Sequence, residues 1–236
     1  MSHPSPPAPP PLKFEDSLAV LVAVNSTSEA LATAKQTTPI PTAPTPTPGV
    51  EFSDVSDNSW ARRFIQRLNT RNIVVGFPDG SFRPEKYATR AEFAVMLEKV
   101  FDPENSENSS NFKDLSADYW AYDAIKSVSK MGILKGYPAG DFRPDQPVTR
   151  AEVLVALATV LKLKTPSTPA KALQGYLDGD QVLDYAIAKV AAAQEAGLVA
   201  GYRKEKLLIP NKPVTRAELS AILSQALAIS QQVRKS

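Results

Sequence analysis

Two patterns of apolar residues alternate along residues 52–228, and each predicts a different kind of helix. The first is an amphipathic stripe, in which apolar residues recur at positions i, i+3, i+4 and i+7. It occurs twice at full strength, in Ala61, Phe64, Ile65 and Leu68 and again in Ala121, Ala124, Ile125 and Val128. This spacing predicts short helices that bury one face and expose the other.

The second pattern is apolar on nearly every side of the predicted helix. It follows each T-R-A-E sequence, as FAVML from Phe93, VLVALATVL from Val153 and LSAIL from Leu219. A helix without a polar face must be buried. We therefore expect three such helices to pack together at the centre, with the amphipathic helices around them.

Both kinds of helix have predictable ends. Each T-R-A-E places a glutamate three residues after a threonine, which is the capping-box pattern, in Thr89 and Glu92, Thr149 and Glu152, and Thr215 and Glu218. Because glycine and asparagine enter the left-handed αL conformation at little cost, the amphipathic helices should end at Asn72, Gly132 and Gly197.

These patterns belong to an internal repeat. The motifs F-x-D-x-x-x-x-x-W-A, G-[F/Y]-P-x-G-x-F-R-P and T-R-A-E begin at Phe52 and recur at Phe112, 60 residues later and without a gap. In the central motif, Gly80 and Gly140 permit a positive φ and predict a compact turn. A weaker third copy runs from Leu177 and has GYRKEKLLIP in place of the glycine turn, so that loop should differ in shape.

The repeats divide the chain into five segments. They are a tail with a Pro/Thr-rich linker (1–51), three repeats (52–110, 111–172 and 173–230) and a C-terminal tail (231–236). Eleven of the 21 prolines lie in the first 50 residues, which favours an extended polyproline II spacer. The apolar run Leu18–Val24 is far shorter than the roughly 20 residues that span a bilayer. It fits the core of a signal peptide, a remodelled anchor segment, a short helix or a tail.

Composition excludes several chemistries. There is no cysteine, which excludes disulfides and thiolate metal sites, and the single histidine, His3, lies in the tail. Catalytic triads that use histidine and HExxH zinc sites are therefore absent. The net charge of +2 indicates no concentrated basic face for nucleic acid. We expect no catalytic residues, no metal, no cofactor and no transmembrane span.

Taken together, the three motifs resemble the S-layer homology domain, a family in which three tandem copies are usual. The resemblance covers about residues 52–228 and implies an all-α fold, a trefoil of three repeats around a central three-helix bundle. It also implies non-covalent binding of acidic, in some cases pyruvylated, polysaccharide linked to peptidoglycan, in grooves between repeats. The expected location is the cell envelope, either the cell wall or the periplasm.

The arginine of T-R-A-E is the first candidate for contact with such a ligand. It stands at a helix N-terminus, where free amides and the helix dipole favour an anion, and its planar guanidinium can hold a carboxylate with two hydrogen bonds. The three candidates are Arg90, Arg150 and Arg216. The alternative is that each arginine pairs with a neighbouring carboxylate or covers the end of the bundle.

The remaining candidates also have structural alternatives. A tryptophan can stack on a sugar ring or anchor the core, and a glycine can allow close approach of a ligand or serve a turn. The aspartates of F-x-D are expected to hydrogen-bond the loop before the first helix. The residues concerned are Trp60, Trp120, Gly76, Gly136, Gly201, Asp54 and Asp114.

The leading hypothesis is a non-catalytic anchoring module that binds cell-wall polysaccharide. The alternative is a structural or interaction protein of an envelope or membrane complex that keeps the fold without binding glycan. In both cases an envelope protein can attach through the N-terminal tail. Because copy three lacks the tryptophan, the F-x-D pair and the glycine loop, we expect at most two grooves to bind ligand well.

Overall fold

The computed structural model describes residues 51–101, 111–198 and 206–233, and within these ranges the chain is helical. Its only β-type pairings there are isolated bridges, so the predicted all-α class is confirmed. The Pro/Thr-rich linker and Gly201 lie outside the described ranges. The helices are α1 (Arg62–Asn69), α2 (Arg90–Phe101), α3 (Tyr122–Lys130), α4 (Arg150–Val160), α5 (Pro169–Leu173), α6 (Asp184–Glu195) and α7 (Arg216–Val233).

Helices α1 and α3 are the amphipathic helices that the stripe predicts. Their stripe residues are buried, whereas Arg63 and Gln66 on the other side of α1 are exposed. Each helix begins two residues after the tryptophan of its repeat, so Trp60 and Trp120 stand in the turn before the helix. No helix within the described ranges has both the length and the apolarity that crossing a bilayer requires.

The left-handed ends of these helices are confirmed. Asn72, Gly132 and Gly197 have φ angles of 56°, 67° and 84°. After α1 the amide of Ile73 donates to the Leu68 carbonyl at 2.9 Å, and the amide of Asn72 donates to the Asn69 carbonyl at 2.8 Å. This pair of bonds is the Schellman motif, and it satisfies carbonyls that the helix end would otherwise leave open.

Helices α2, α4 and α7 are the buried ones, as their all-round apolar pattern predicts. Phe93, Leu97, Leu157 and Leu223 are each fully buried in one continuous core. All three helices have their capping boxes, with the threonine amide donating to the glutamate and the glutamate amide donating to the threonine hydroxyl. The sequence therefore predicts both the start and the burial of these helices.

The helices pack between repeats rather than within them. The main partner of α3 is α2, that of α6 is α4 and that of α1 is α7, so each first helix lies against the second helix of another repeat. The short helix α5, which the sequence pattern did not predict, packs on α6. The trefoil and a bundle made of the three second helices alone stay predictions.

Backbone hydrogen bonds join the three repeats in a closed ring just before the second helices. The amide of Ala88 donates to the Val214 carbonyl, Val214 donates to Val148, and Val148 donates back to Ala88, at 2.9–3.0 Å. Two residues later, the amides of Arg90, Arg150 and Arg216 each donate to a loop carbonyl of another repeat. Each repeat thus contacts both of the others at the T-R-A-E positions.

Candidate functional site

A cavity of about 90 Å³ lies where the three repeats meet beside α2. Repeat one supplies the loop 73–78 and one side of α2, repeat two supplies Trp120, and repeat three supplies Arg216. We call this cavity the first groove. It brings together three of the sequence-predicted site residues, Gly76, Trp120 and Arg216, each from a different repeat.

Arg216 enters the first groove from the start of α7 and is buried. Its Nε donates to the Phe82 carbonyl at 2.8 Å, and Nη2 donates to the Val75 carbonyl at 2.9 Å. The remaining terminal nitrogen lies 3.3 Å from a carboxylate oxygen of Glu92. Burial lowers the pKa of Arg216, and the Glu92 carboxylate opposes that shift. The guanidinium therefore joins repeat three to repeat one and also lines the groove.

Arg90 makes the equivalent connection from repeat one to repeat two. Its Nε donates to the Phe142 carbonyl, and Nη2 donates to the Lys135 carbonyl, both at 2.8 Å. Its Nη1 donates to Glu152 at 2.7 Å. The structural alternative weighed for these arginines, pairing with a neighbouring carboxylate, is thus observed for Arg90 and Arg216.

The surroundings of Arg90 define a second groove, made of the Gly136–Tyr137 loop, Glu152 and Arg90. The hydroxyl of Tyr137 donates to the same Glu152 oxygen that Arg90 contacts, at 2.8 Å. Tyr185 of repeat three stands in place of the tryptophan and is 63% exposed. Partial desolvation raises the pKa of Tyr185, and the Glu152 carboxylate raises it further, so the phenol lies within electrostatic reach of this groove.

The residues that would form a third groove lie only partly within the described ranges. Arg150 is buried at the start of α4, and its amide donates to the Lys212 carbonyl of repeat three. The loop that would complete a third groove contains Gly201, which lies outside the described ranges. Trp60, half-buried, packs against the core.

The glycines of the G-[F/Y]-P motif are required by the fold. A methyl group on Gly76 would overlap the Phe52 ring and lie 2.7 Å from the Ser81 carbonyl oxygen. Gly136 has the same neighbours in repeat two, the Phe112 ring and the Asp141 carbonyl. Because the missing side chain would point at the protein's own atoms, these two glycines allow close packing of the loop on its aromatic anchor.

The aspartates of F-x-D hold a different loop from the one expected. The carboxylate of Asp54 accepts hydrogen bonds from the amides of Phe82 and Arg83, both at 2.7 Å, and therefore binds the loop before the second helix rather than the first. Asp114 binds the amides of Phe142 and Arg143 in the same way. The carboxylate stabilises a left-handed residue, since Arg83 has a φ of 58°.

The expectation that copy three lacks this aspartate is wrong. Asp178 accepts from the amides of Leu208 and Ile209 at 2.8 and 2.7 Å, and Ile209 has a φ of 49°. The sequence analysis missed it because Tyr176 stands where the other copies have the phenylalanine of F-x-D. In the sequence, Asp178 precedes Leu208 by 30 residues, whereas Asp54 precedes Phe82 by 28 residues. This similar separation was the signal that could have identified Asp178.

Sequence analysis also missed the carboxylate partners of the arginines and the lysines beside the first groove. Glu92 and Glu152 act as helix caps and as arginine partners at the same time. Lys86 and Lys99, on repeat one, lie at or near the first groove, with Lys86 Nζ 3.9 Å from Glu92. In chemical terms this groove offers cations, a carboxylate and aromatic faces, which suit a hydroxyl-rich anion.

Comparison with protein families matches three stretches of the chain to the S-layer homology domain. They are residues 51–94, 111–154 and 175–220, together more than half of the chain.

Three relatives from Acetivibrio thermocellus are similar to parts of this chain. A cell surface glycoprotein is 34% identical over 66% of this chain and 7% of its own length. An exoglucanase is 31% identical over 74% of this chain and 16% of its own length. A cellulosome-anchoring protein is 34% identical over 44% of this chain and 24% of its own length. The chain thus spans less than a quarter of each of these relatives.

Proposed function

This chain belongs to the S-layer homology domain family and is associated with the cell envelope, and from that premise we propose that it is a non-catalytic anchoring module. It binds acidic polysaccharide linked to peptidoglycan, including pyruvylated polymers, in grooves between its repeats. In this way it holds whatever its N-terminal segment carries at the envelope.

The single observation that carries the proposal is the composition of the first groove. Trp120 offers an aromatic face on which a sugar ring can stack, and Arg216 and Lys99 offer positive charge for an acidic substituent. These groups come from three repeats, so the cavity exists only when the repeats are assembled. Binding is therefore expected of the folded chain and not of a single repeat.

In this proposal the other candidate residues belong to the second groove, to a third groove or to the loops that support the grooves. Arg90 and Gly136 belong to the second groove, and Arg150, Trp60 and Gly201 are assigned to a third. Asp54 and Asp114 support the loops by binding their amides and do not themselves reach the ligand. The guanidinium groups of Arg90 and Arg216 are buried and stay bound to carbonyls and to a glutamate, so they contribute positive charge to the grooves.

The similarity to an exoglucanase does not argue for hydrolysis. The matched stretch makes up 16% of that enzyme, and a cell surface glycoprotein and a cellulosome-anchoring protein also match this chain. A segment shared by proteins named for such different roles is better explained as an attachment module than as a catalytic domain.

The test is co-sedimentation of the full chain with purified peptidoglycan sacculi that retain their polysaccharide. Saturable binding is expected, and it should fall strongly when the sacculi are both carboxyl-reduced and dephosphorylated, because the ligand is acidic. Binding to sacculi stripped of polysaccharide serves as the control. A chain that fails to sediment with intact sacculi, or sediments equally with stripped ones, would overturn the proposal.

One observation favours the second candidate function, a structural protein of an envelope complex. Arg90 already donates to two carbonyls and a carboxylate of repeat two, so it holds the repeats together without any ligand. Under this alternative, an envelope protein binds the N-terminal tail and sacculi do not bind. The same sedimentation experiment separates the two functions.

A further inference from the structure

The first and second grooves are built from equivalent positions 60 residues apart, and several of these positions carry different side chains. Phe77, Lys86 and Lys99 of repeat one correspond to Tyr137, Gln146 and Thr159 of repeat two. The glutamates at their centres, Glu92 and Glu152, are the same. The two grooves therefore share a central carboxylate and differ in the side chains around it that a ligand can contact.

In the second groove, protein groups occupy the polar atoms. The Glu152 carboxylate accepts four hydrogen bonds, from Arg90, from the Tyr137 hydroxyl and from the amide and hydroxyl of Thr149. Gln146 in turn donates to the Tyr137 hydroxyl at 3.1 Å. A ligand hydroxyl that approached Glu152 would have to replace one of these bonds.

In the first groove the same position is open. Phe77 has no hydroxyl to donate to Glu92, and Lys86 Nζ lies 3.9 Å from the nearer carboxylate oxygen, beyond hydrogen-bonding distance. Arg216 is also farther from its glutamate than Arg90 is, at 3.3 Å against 2.7 Å. The cavity of about 90 Å³ occupies this space and is lined by Gly76, Phe77, Glu92 and Trp120, among others.

The charges of the two grooves differ as well. Around Glu92 stand three cations, Arg216, Lys86 and Lys99, which leave a net charge of +2. Around Glu152, Gln146 and Thr159 replace both lysines, while Lys135 takes the position of Val75, so Arg90 and Lys135 leave a net charge of +1. An anionic sugar is therefore attracted more strongly to the first groove than to the second.

We propose that the chain binds its ligand at one site only, the first groove, and that Phe77 and Lys86 select an anionic sugar there, while Tyr137 and Gln146 close the second groove. This inference rests on the proposed function and deepens it. It names a sugar that bears a carboxylate or a phosphate as the ligand, with a hydroxyl group directed at Glu92. Phe77 and Lys86 are the specificity-determining residues.

The experiment exchanges the two sets of residues in the full chain. Calorimetry with short oligosaccharides released from sacculi measures affinity and the number of sites. The wild type should show one site, and Phe77→Tyr with Lys86→Gln should weaken binding at least tenfold. Tyr137→Phe with Gln146→Lys should raise the number of sites from one to two. Lys171→Gln, which removes an exposed charge on α5, should bind like wild type.

The possible outcomes test the single site, the proposed function and the identity of the anion separately. Two equal sites in the wild type, an unchanged affinity after the exchange in the first groove, or an unchanged number of sites after the exchange in the second would each overturn the inference. If the wild type does not bind at all, the proposed function fails instead. Carboxyl-reduced and dephosphorylated oligosaccharides separate the two anions, since the treatment that abolishes binding identifies the group. Binding that survives both treatments would refute the anionic ligand.

Discussion

Replacing Arg90 with alanine tests whether the T-R-A-E arginines hold the repeats together. The change removes three hydrogen bonds from repeat one to repeat two, to the carbonyls of Phe142 and Lys135 and to Glu152, at 2.7–2.8 Å. Its guanidinium is almost fully buried, so water cannot easily replace these bonds. Glu152 would keep the Tyr137 hydroxyl and its cap but would lose its charged partner.

The expected cost follows from these contacts. Breaking a buried ion pair by removing one partner typically costs about 3–5 kcal/mol. In a folded unit of this size, each kcal/mol lowers the melting temperature by about 2–4 °C, so Arg90→Ala should lower it by about 10 °C. Arg90→Lys should recover only part of the loss, because an ammonium keeps the charge but cannot reach both carbonyls and the carboxylate.

Thermal unfolding of the full chain, followed by circular dichroism at constant pH and salt, measures this effect. Arg67→Ala is the matched control, since it removes an exposed arginine from α1 and should leave the melting temperature nearly unchanged. If Arg90→Ala melts within about 2 °C of wild type, the arginine does not join the repeats and the bonds described above contribute little to stability.

Three further changes test the core, the close-packed glycines and the aspartate clamp, each by urea unfolding of the full chain. Leu157→Ala should lower the free energy of unfolding by about 2–5 kcal/mol, because the side chain is fully buried between helices. A smaller loss would contradict a central position for α4. Gly76→Ala should cost about 1–3 kcal/mol, because the added methyl group would overlap the Phe52 ring. Gly175→Ala should be neutral or slightly stabilising, because the space around Gly175 is open. Equal effects of the two changes would refute the packing argument. Asp178→Asn should cost about 1–3 kcal/mol, because an amide cannot accept from both backbone donors. The exposed Asp180→Asn should cost little, and a matching loss there would show that the clamp is not the cause.

The local parts of the fold were predictable because short-range patterns determine them. A threonine followed by a glutamate three residues later identifies the start of a buried helix, and Asn72 marks the end of α1 with the expected left-handed φ. In these cases the residues that interact lie within one or two turns of each other. A single copy of the repeat is enough to show the pattern.

The contacts between repeats were not predictable, because their partners are far apart in the sequence. Arg216 binds the carbonyls of Val75 and Phe82, 141 and 134 residues away, and no spacing rule connects them. The order in which the repeats meet determines which glutamate faces which arginine. For the same reason, a weaker third copy does not simply remove one groove, because it supplies Arg216 to the first groove.

The most direct test of ligand binding in the first groove uses the two tryptophans of the chain, Trp60 and Trp120. In a Trp60→Phe variant, Trp120 is the sole indole, and its fluorescence should change saturably when acidic polysaccharide is titrated in. It should not change when the polysaccharide has been both carboxyl-reduced and dephosphorylated. In the reciprocal Trp120→Phe variant, the emission of Trp60 should stay constant. Equal changes for both tryptophans, or no change for Trp120 under conditions where the chain binds sacculi, would contradict ligand binding in the first groove.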